Sequence, residues 1–235
     1  MQYIFLVILL FIGVVESIRH RKLTKTAAIA GGLTGFCIFI GAGWTGFALL
    51  VLFFMGGTLA TGWKRKQKTA IGMMQERGGQ RKTGQVLANA GMAGTLGLLA
   101  LLLPQQKELL ALMIAATFSS AMADTLSSEL GSIYGKKFYN ILTFKQDQKG
   151  LDGVVSLEGT LMGLVGSILI AIVYCTGFGW DTCFFILLFA GTVGNLSDSV
   201  LGAALERKKQ IGNDAVNFLN TLIAALVACL FYLYT

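Results

Sequence analysis

Apolar residues run through this chain in eight long stretches, roughly 2–18, 26–42, 45–62, 84–103, 109–126, 156–176, 180–199 and 215–234, broken by short polar or basic segments. Each comes close to the ~20 residues a helix needs to cross the hydrocarbon core of a bilayer. The first and second stretches are the shortest. None alternates apolar and polar residues with period two, as the lipid and lumen faces of a transmembrane barrel require. The pattern predicts an all-α fold: a polytopic integral membrane helical bundle of about eight spans, in one domain over residues 1–235. The first stretch has neither a basic leader nor a small-residue cleavage site, so it reads as a retained span and not a signal peptide.

Composition agrees. Hydrophobic residues make up 54% of the chain, charged residues 13%, and the mean hydropathy is +0.69. A soluble domain of this size could not hide that much apolar surface. Charge then gives an orientation. Of the 19 Lys and Arg residues, 18 fall in four segments, 19–25, 64–82, 136–149 and 207–209, leaving only Lys107 in an alternate loop. With eight alternating spans those four segments share one side, and the positive-inside rule makes it cytoplasmic, with both termini outside. The net charge of +7 is thus a topology signal first and an attraction for lipid headgroups or phosphates second.

Against this apolar background, two blocks place acids beside hydroxyls at the ends of spans: Asp124-Thr125-Leu126-Ser127-Ser128-Glu129 and Asn195-Leu196-Ser197-Asp198-Ser199. A carboxylate at bilayer depth is costly and normally faces a partner, a metal or a water-filled cavity. Helical spacing extends the blocks into stripes. Arg81, Gln85 and Asn89 share a face of the fourth span, and Ser120, Asp124 and Ser128 share one of the fifth, from which Glu129 points away. Asn195, Asp198, Gly202 and Glu206 line the seventh, and Asn213, Asn217 and Asn220, with Asp214 alongside, line the eighth. Converging at one membrane face, four stripes would enclose one polar pocket at the cytoplasmic side. Each stripe also has a plainer reading, as hydrogen bonds between packed helices, and Glu206 reads best as a solvated partner of Arg207 or Lys208.

Two basic segments border the stripes. Residues 64–68 read as a topology signal meeting headgroups, whereas Gly78-Gly79-Gln80-Arg81-Lys82 adjoins a stripe and could clamp phosphates. The loop 132–155 carries Lys136, Lys137, Lys145 and Lys149, then Gly153 and Ser156 before the sixth span. A glycine turn ahead of a helix suits phosphate, although Gly153 could equally serve the turn and Ser156 the helix cap. His20 is the sole histidine, which excludes a histidine-based metal site or a Ser-His triad. Cys37, Cys175, Cys183 and Cys229 read as buried free thiols, with a Cys175–Cys183 disulfide across an outer turn as the alternative. Aromatic residues lie within the spans and not among the basic ones, so no nucleic-acid partner is expected.

Taken in order, these blocks resemble an integral-membrane family that includes plant phytyl-phosphate kinase. The resemblance runs through Gly79-Gln80-Arg81 with Gln85, Val86 and Asn89, then Ser120 to Thr125 with Ser128, Glu129 and Gly131. It continues through Asp152, Gly153, Val155 and Ser156 with Gly159 and Thr160, then Asp198-Ser199 with Leu201-Gly202-Ala203, and ends at Asn213-Asp214 with Val216-Asn217-Phe218. It covers roughly residues 25–234; Val154 departs from it, where the family tends to carry a second glycine. The family is similar to CTP-dependent lipid kinases and, more distantly, to membrane cytidylyltransferases. The resemblance implies transfer of a phosphoryl group from a nucleoside triphosphate, CTP, to a prenyl monophosphate, giving the prenyl diphosphate.

The residues suit that chemistry. Phosphoryl transfer uses Mg²⁺ to bridge phosphate oxygens and cations to offset charge, and Mg²⁺ takes one or two carboxylates plus substrate phosphates. Asp124 and Asp198 are the expected Mg²⁺ ligands, with Asp214 and Glu129 as second choices, and Asp124, Glu129, Asp198 and Arg81 form the expected catalytic set. Gln85, Asn89, Ser120, Ser128, Lys136, Lys137, Gly153, Ser156, Asn213 and Asn217 are expected to contact the nucleotide or phosphates. An acceptor phosphate is already an anionic nucleophile, so no deprotonating base is needed. Expected partners are an isoprenoid lipid phosphate, a nucleoside triphosphate, membrane lipids and a possible second copy in a homo-oligomer. Two alternatives stay open: a cytidylyltransferase making a CDP-activated lipid, and a lipid or ion transporter whose stripes line a path.

Overall fold

A computed structural model describes residues 1–70 and 80–234. Seven helices in it are long and apolar enough to cross a membrane: α1 (Gln2–Arg19), α2 (Lys25–Gly62), α4 (Thr83–Leu102), α5 (Lys107–Tyr134), α6 (Leu157–Phe178), α7 (Cys183–Leu201) and α8 (Asn213–Tyr232). A short helix, α3 (Arg65–Ala70), precedes residues 71–79. The second and third predicted spans both lie in the 38-residue α2, which leaves helical geometry at Gly43 (φ 59°, ψ −147°). A glycine permits that left-handed turn at low cost. The chain doubles back there, because Gly35 packs against Leu50, whereas residues fifteen apart in a straight helix lie about 22 Å apart. Both ends of α2 meet Arg81: the Thr24 N–H donates to its carbonyl at 3.1 Å, and Gly57 lies against its guanidinium. Counting the two arms, 25–42 and 44–62, the described residues form eight membrane-length segments, as the apolar pattern predicts.

At the centre stands α5. In its most apolar stretch 78% of the residues are buried, against 11% for α1, which packs on α2 at the edge. Small residues let neighbours approach α5 closely, as is usual where lipid supplies no hydrophobic drive between helices. Gly131 meets Gly159 of α6, and Gly191 and Gly194 of α7 meet Ser119 and Ser120. Among the buried hydroxyls, Ser119 donates to the Leu187 carbonyl at 2.9 Å and Thr117 to that of Ile114 at 2.7 Å, while Ser167 Oγ has no partner among the described residues. All four cysteines are free thiols, so the structure contains no Cys175–Cys183 disulfide.

The loop between α5 and α6 forms a small antiparallel ribbon, β1 (Tyr139–Asn140) with β2 (Val154–Val155), in which Tyr139 pairs with Val155. Asn140 organises its turn by accepting from the N–H groups of Leu142 and Thr143 through Oδ1. Arg207, just beyond α7, ties the loop down with a 2.8 Å ion pair to Asp147. That contact, Trp63 to Tyr134 (2.9 Å) and Thr24 to Arg81 bring described parts of all four basic segments to one end of the bundle.

Candidate active site

At that end lies a polar cavity of ≈ 270 Å³, lined by the first turns of α4 and α8, the last turns of α5 and α7, and residues 149–156. The short helix-end positions explain its chemistry: each stripe is the last polar stretch before its span becomes apolar.

The carboxyls of Asp124 on α5 and Asp198 on α7 meet within hydrogen-bonding reach of each other. Asp198 Oδ1 also accepts a 2.7 Å hydrogen bond from Asn220 Nδ2, and Asn220 Oδ1 accepts one from Ser120 at 3.0 Å. Ser120 and Asn220 are both fully buried. Ser120 therefore lies behind the cavity wall, holding the amide that holds the acid. Among the described residues no Lys or Arg nitrogen reaches Asp124 or Asp198 within the 4.0 Å of an ion pair. Glu206 and Asp152 also line the cavity. Glu206 does not pair with Arg207, as its sequence position had suggested. A π turn over Gly202–Glu206 carries it inward, while Arg207 swings to Asp147. Single π turns of this kind, wider than an α-turn, are frequent at functional sites.

Arg81 supplies positive charge. Its N–H donates to the Lys22 carbonyl at 2.9 Å and its carbonyl accepts from Thr24, so the backbone is fixed on both sides. Its guanidinium passes Gly57, where any Cβ would collide with it, and lies 5.6 Å from the Phe53 ring centre. Burial pushes the guanidinium below the usual arginine range, partly countered by Glu129; arginine still remains charged. Glu129 borders the cavity and forms a 2.5 Å ion pair with Lys68, which is 2% exposed and also donates to the Ala60 carbonyl. Lys68 is thus an interior cation and not part of an exposed headgroup signal.

The remaining predicted residues divide. Gln85, Asn89, Ser128, Gly153, Ser156, Asn213 and Asn217 all line the cavity. Several are locally engaged: Gln85 Oε1 caps α4 by accepting from the Lys82 N–H, Asn89 donates to the Gln85 carbonyl, and Ser156 Oγ caps α6 by accepting from the Gly159 N–H. Gly153 has φ +72° and lies so close to Ala203 that no side chain could fit, which docks the loop on the π turn. Asn217 is buried and donates to Asn213, and its Oδ1 has no partner among the described residues. Lys136 and Lys137 stay exposed outside the cavity, and Lys149 lines it instead. Asp214 also lies outside, on the far side of the α4–α8 seam against Gly84. Gly78 and Gly79 fall outside the described residues. The sequence placed Asn220 in the polar stripe of the last span and Lys149 in the basic loop without giving either a role in the site, and Lys68 read as part of a headgroup signal.

Fold and site together define a multi-pass helical membrane protein with a polar, acid-rich cavity at one end of the bundle. The chain belongs to the family described as integral membrane protein DUF92, whose profile matches residues 7–225. It is 33% identical over 215 residues to the protein called VTE6, chloroplastic, of Arabidopsis thaliana, covering 88% of this chain and 65% of that one. An uncharacterized membrane protein of Synechocystis is 34% identical over 198 residues, 83% of this chain and 76% of its own. One of Methanocaldococcus jannaschii is 30% identical over 214 residues, 91% and 87% respectively. This chain spans just under two thirds of the Arabidopsis protein's length. No solved structure matches.

Proposed function

We propose that this protein is a Mg²⁺-assisted, CTP-dependent kinase that converts a prenyl monophosphate, phytyl or geranylgeranyl, to the prenyl diphosphate at the cytoplasmic membrane face. The observation that carries the reading is the pairing of two in-span carboxyls, Asp124 and Asp198, which have no cation partner among the described residues, in one cavity with Arg81 and Lys149. The ordered resemblance to the phytyl-phosphate kinase family supports the acceptor, and the clustering of basic segments around the cavity supports its side.

A divalent ion fits the donor set. Among the described residues no group of three or more His, Cys, Asp or Glu could hold a metal, but Mg²⁺ is content with one or two carboxylates, phosphates and waters. Asp124 and Asp198 would hold it, and the orphaned Asn217 Oδ1 could accept from a metal-bound water. When bound, Mg²⁺ supplies charge neutralisation on the nucleotide phosphates. Asn220 orients Asp198, Arg81 and Lys149 offset phosphate charge, and the ribbon loop 149–156 excludes water from one side. The acceptor phosphate oxygen attacks the γ-phosphorus, and the bond to the nucleoside diphosphate breaks. No base is consumed.

The cavity's position at helix ends favours catalysis over transport, because a transport site belongs near the midplane. Purified protein, Mg²⁺ and γ-labelled CTP with a panel of prenyl monophosphates should yield labelled prenyl diphosphate. Label entering only from the cytidine would make the protein a cytidylyltransferase. Movement of a lipid or ion across vesicles without phosphoryl transfer would make it a transporter. Thiol labelling of a cysteine placed at Gln148 only from the cytoplasmic side is the expected orientation result.

A further inference from the structure

A second cavity, a lipid-facing groove of ≈ 530 Å³, runs along the outside of α4 between the first arm of α2 and α8. α4 packs on both of those helices, which flank it without a substantial contact of their own. Its floor is small (Gly84, Ala88, Gly91) and its rims are apolar (Leu33, Leu98, Phe218). It is an open groove with a mainly apolar lining and few polar groups, Asp214 among them.

The groove and the polar cavity share a wall. On α4, Gly84 faces the groove and its neighbour Gln85 the cavity; on α8, Asp214 faces the groove and its neighbour Asn213 the cavity. Asp214 touches Gly84 at the head of the groove, so the border between polar and apolar lining lies level with the cavity. From Gly84 to Leu98 the groove follows fourteen residues of α4, about 21 Å. An extended chain of sixteen carbons covers about 20 Å at ordinary bond lengths, which is the main chain of a twenty-carbon isoprenoid.

We infer that this groove holds the tail of the prenyl monophosphate and brings its phosphate to the cavity across the Gly84–Asp214 seam. The inference rests on the proposed kinase activity. Bilayer lipid is as apolar as the groove, so seating a tail there gains no hydrophobic free energy. What the groove supplies is position: it fixes where the phosphate sits, and so acts on kcat/KM by chain length.

Gly91 lies seven residues, about 10 Å, below Gly84, and a Cβ there meets only Leu87 Cβ at 3.8 Å, an ordinary contact. Gly91→Leu should fold and block the lower half of the groove. In the full chain reconstituted in diacyl-lipid bilayers, its kcat/KM should fall about tenfold or more for a C20 monophosphate and change little for C10. Gly13→Leu, on α1 in open space, should alter neither. An unchanged C20-to-C10 ratio overturns the groove assignment. A C20 monophosphate with a photoreactive group at its tail end gives a test independent of turnover. Label should map to residues 33–37 and 95–98, be competed by unlabelled C20 monophosphate but not by diacyl lipid, and be lost in Gly91→Leu. Label spread over all lipid-facing helices, or not competed, overturns the assignment even if the kinase reading stands. Specific label without phosphoryl transfer to any prenyl phosphate would sink the kinase reading and keep the groove.

Discussion

Asn220 offers the sharpest test of the paired carboxyls. Its amide donates to Asp198 at 2.7 Å and accepts from Ser120 at 3.0 Å, and both Asn220 and Ser120 are fully buried while Asp198 faces the cavity. Asn220→Ala removes both bonds. A hydrogen bond to a charged group is worth roughly 1.5–3 kcal/mol, or about 10–100-fold in an equilibrium or rate. Loss of an outer residue that orients a metal ligand falls in the same range. Asn220→Ala should therefore raise the Mg²⁺ concentration for half-maximal activity and lower kcat by about 10–100-fold. Ser120→Ala removes only the neutral bond that fixes the amide, roughly 0.5–1.5 kcal/mol, so it should produce a smaller shift in the same direction. Mg²⁺ titration of initial rates, alongside thermal unfolding in detergent, separates positioning from stability. If Asn220→Ala is folded and its Mg²⁺ dependence stays within about twofold of native, Asn220 does not orient a metal ligand and the argument fails.

Further outcomes follow from other contacts. Asp124→Asn and Asp198→Asn keep size and remove charge, and each should cost on the order of 10²-fold or more in kcat with membrane insertion intact; near-native turnover would show that acid to be structural. Gly153→Ala meets both a positive φ and Ala203, so it should loosen the loop 135–155 to proteolysis and reduce activity, whereas a native digestion pattern would contradict the close contact. Lys68→Met leaves Glu129 without its buried cation, a loss of about 3–5 kcal/mol for pairs of this kind, and adding Glu129→Gln should restore much of the melting temperature; no rescue would mean Lys68 acts through packing alone. Hydrogen bonding to Arg207, then the Gln148 N–H, holds the Asp147 carboxyl below the usual range. The loop staple is then complete above the ordinary aspartate pKa of about 3.9 and is lost as pH falls through the lower native value. Hydrogen exchange of the loop should rise only in that acid range, and a rise near neutrality would refute the pairing.

Span number, helical class and the clustering of basic segments at one end follow from local composition, because bilayer thickness and backbone hydrogen bonding leave an apolar chain few choices. Asp124, Asp198, Arg81, Asn89, Asn213 and Asn217 were legible as site candidates for a related reason: a polar residue at membrane depth is costly and stands out. The double-back at Gly43 was legible only as two runs of adequate length; its turn is a backbone angle that glycine permits but does not announce. Other assignments depended on direction across space. Ser120 and Asn220, one hundred residues apart, meet only because α5 and α8 pack together. Lys68 looks like its exposed neighbours until α3 folds onto Glu129. Glu206 enters the cavity through a π turn, and Asp214, one residue from Asn213, faces the opposite side of α8. Residue type and spacing select which side chains are costly in lipid, but which of them share a cavity is decided by helix rotation and packing, to which distant residues contribute as much as near ones.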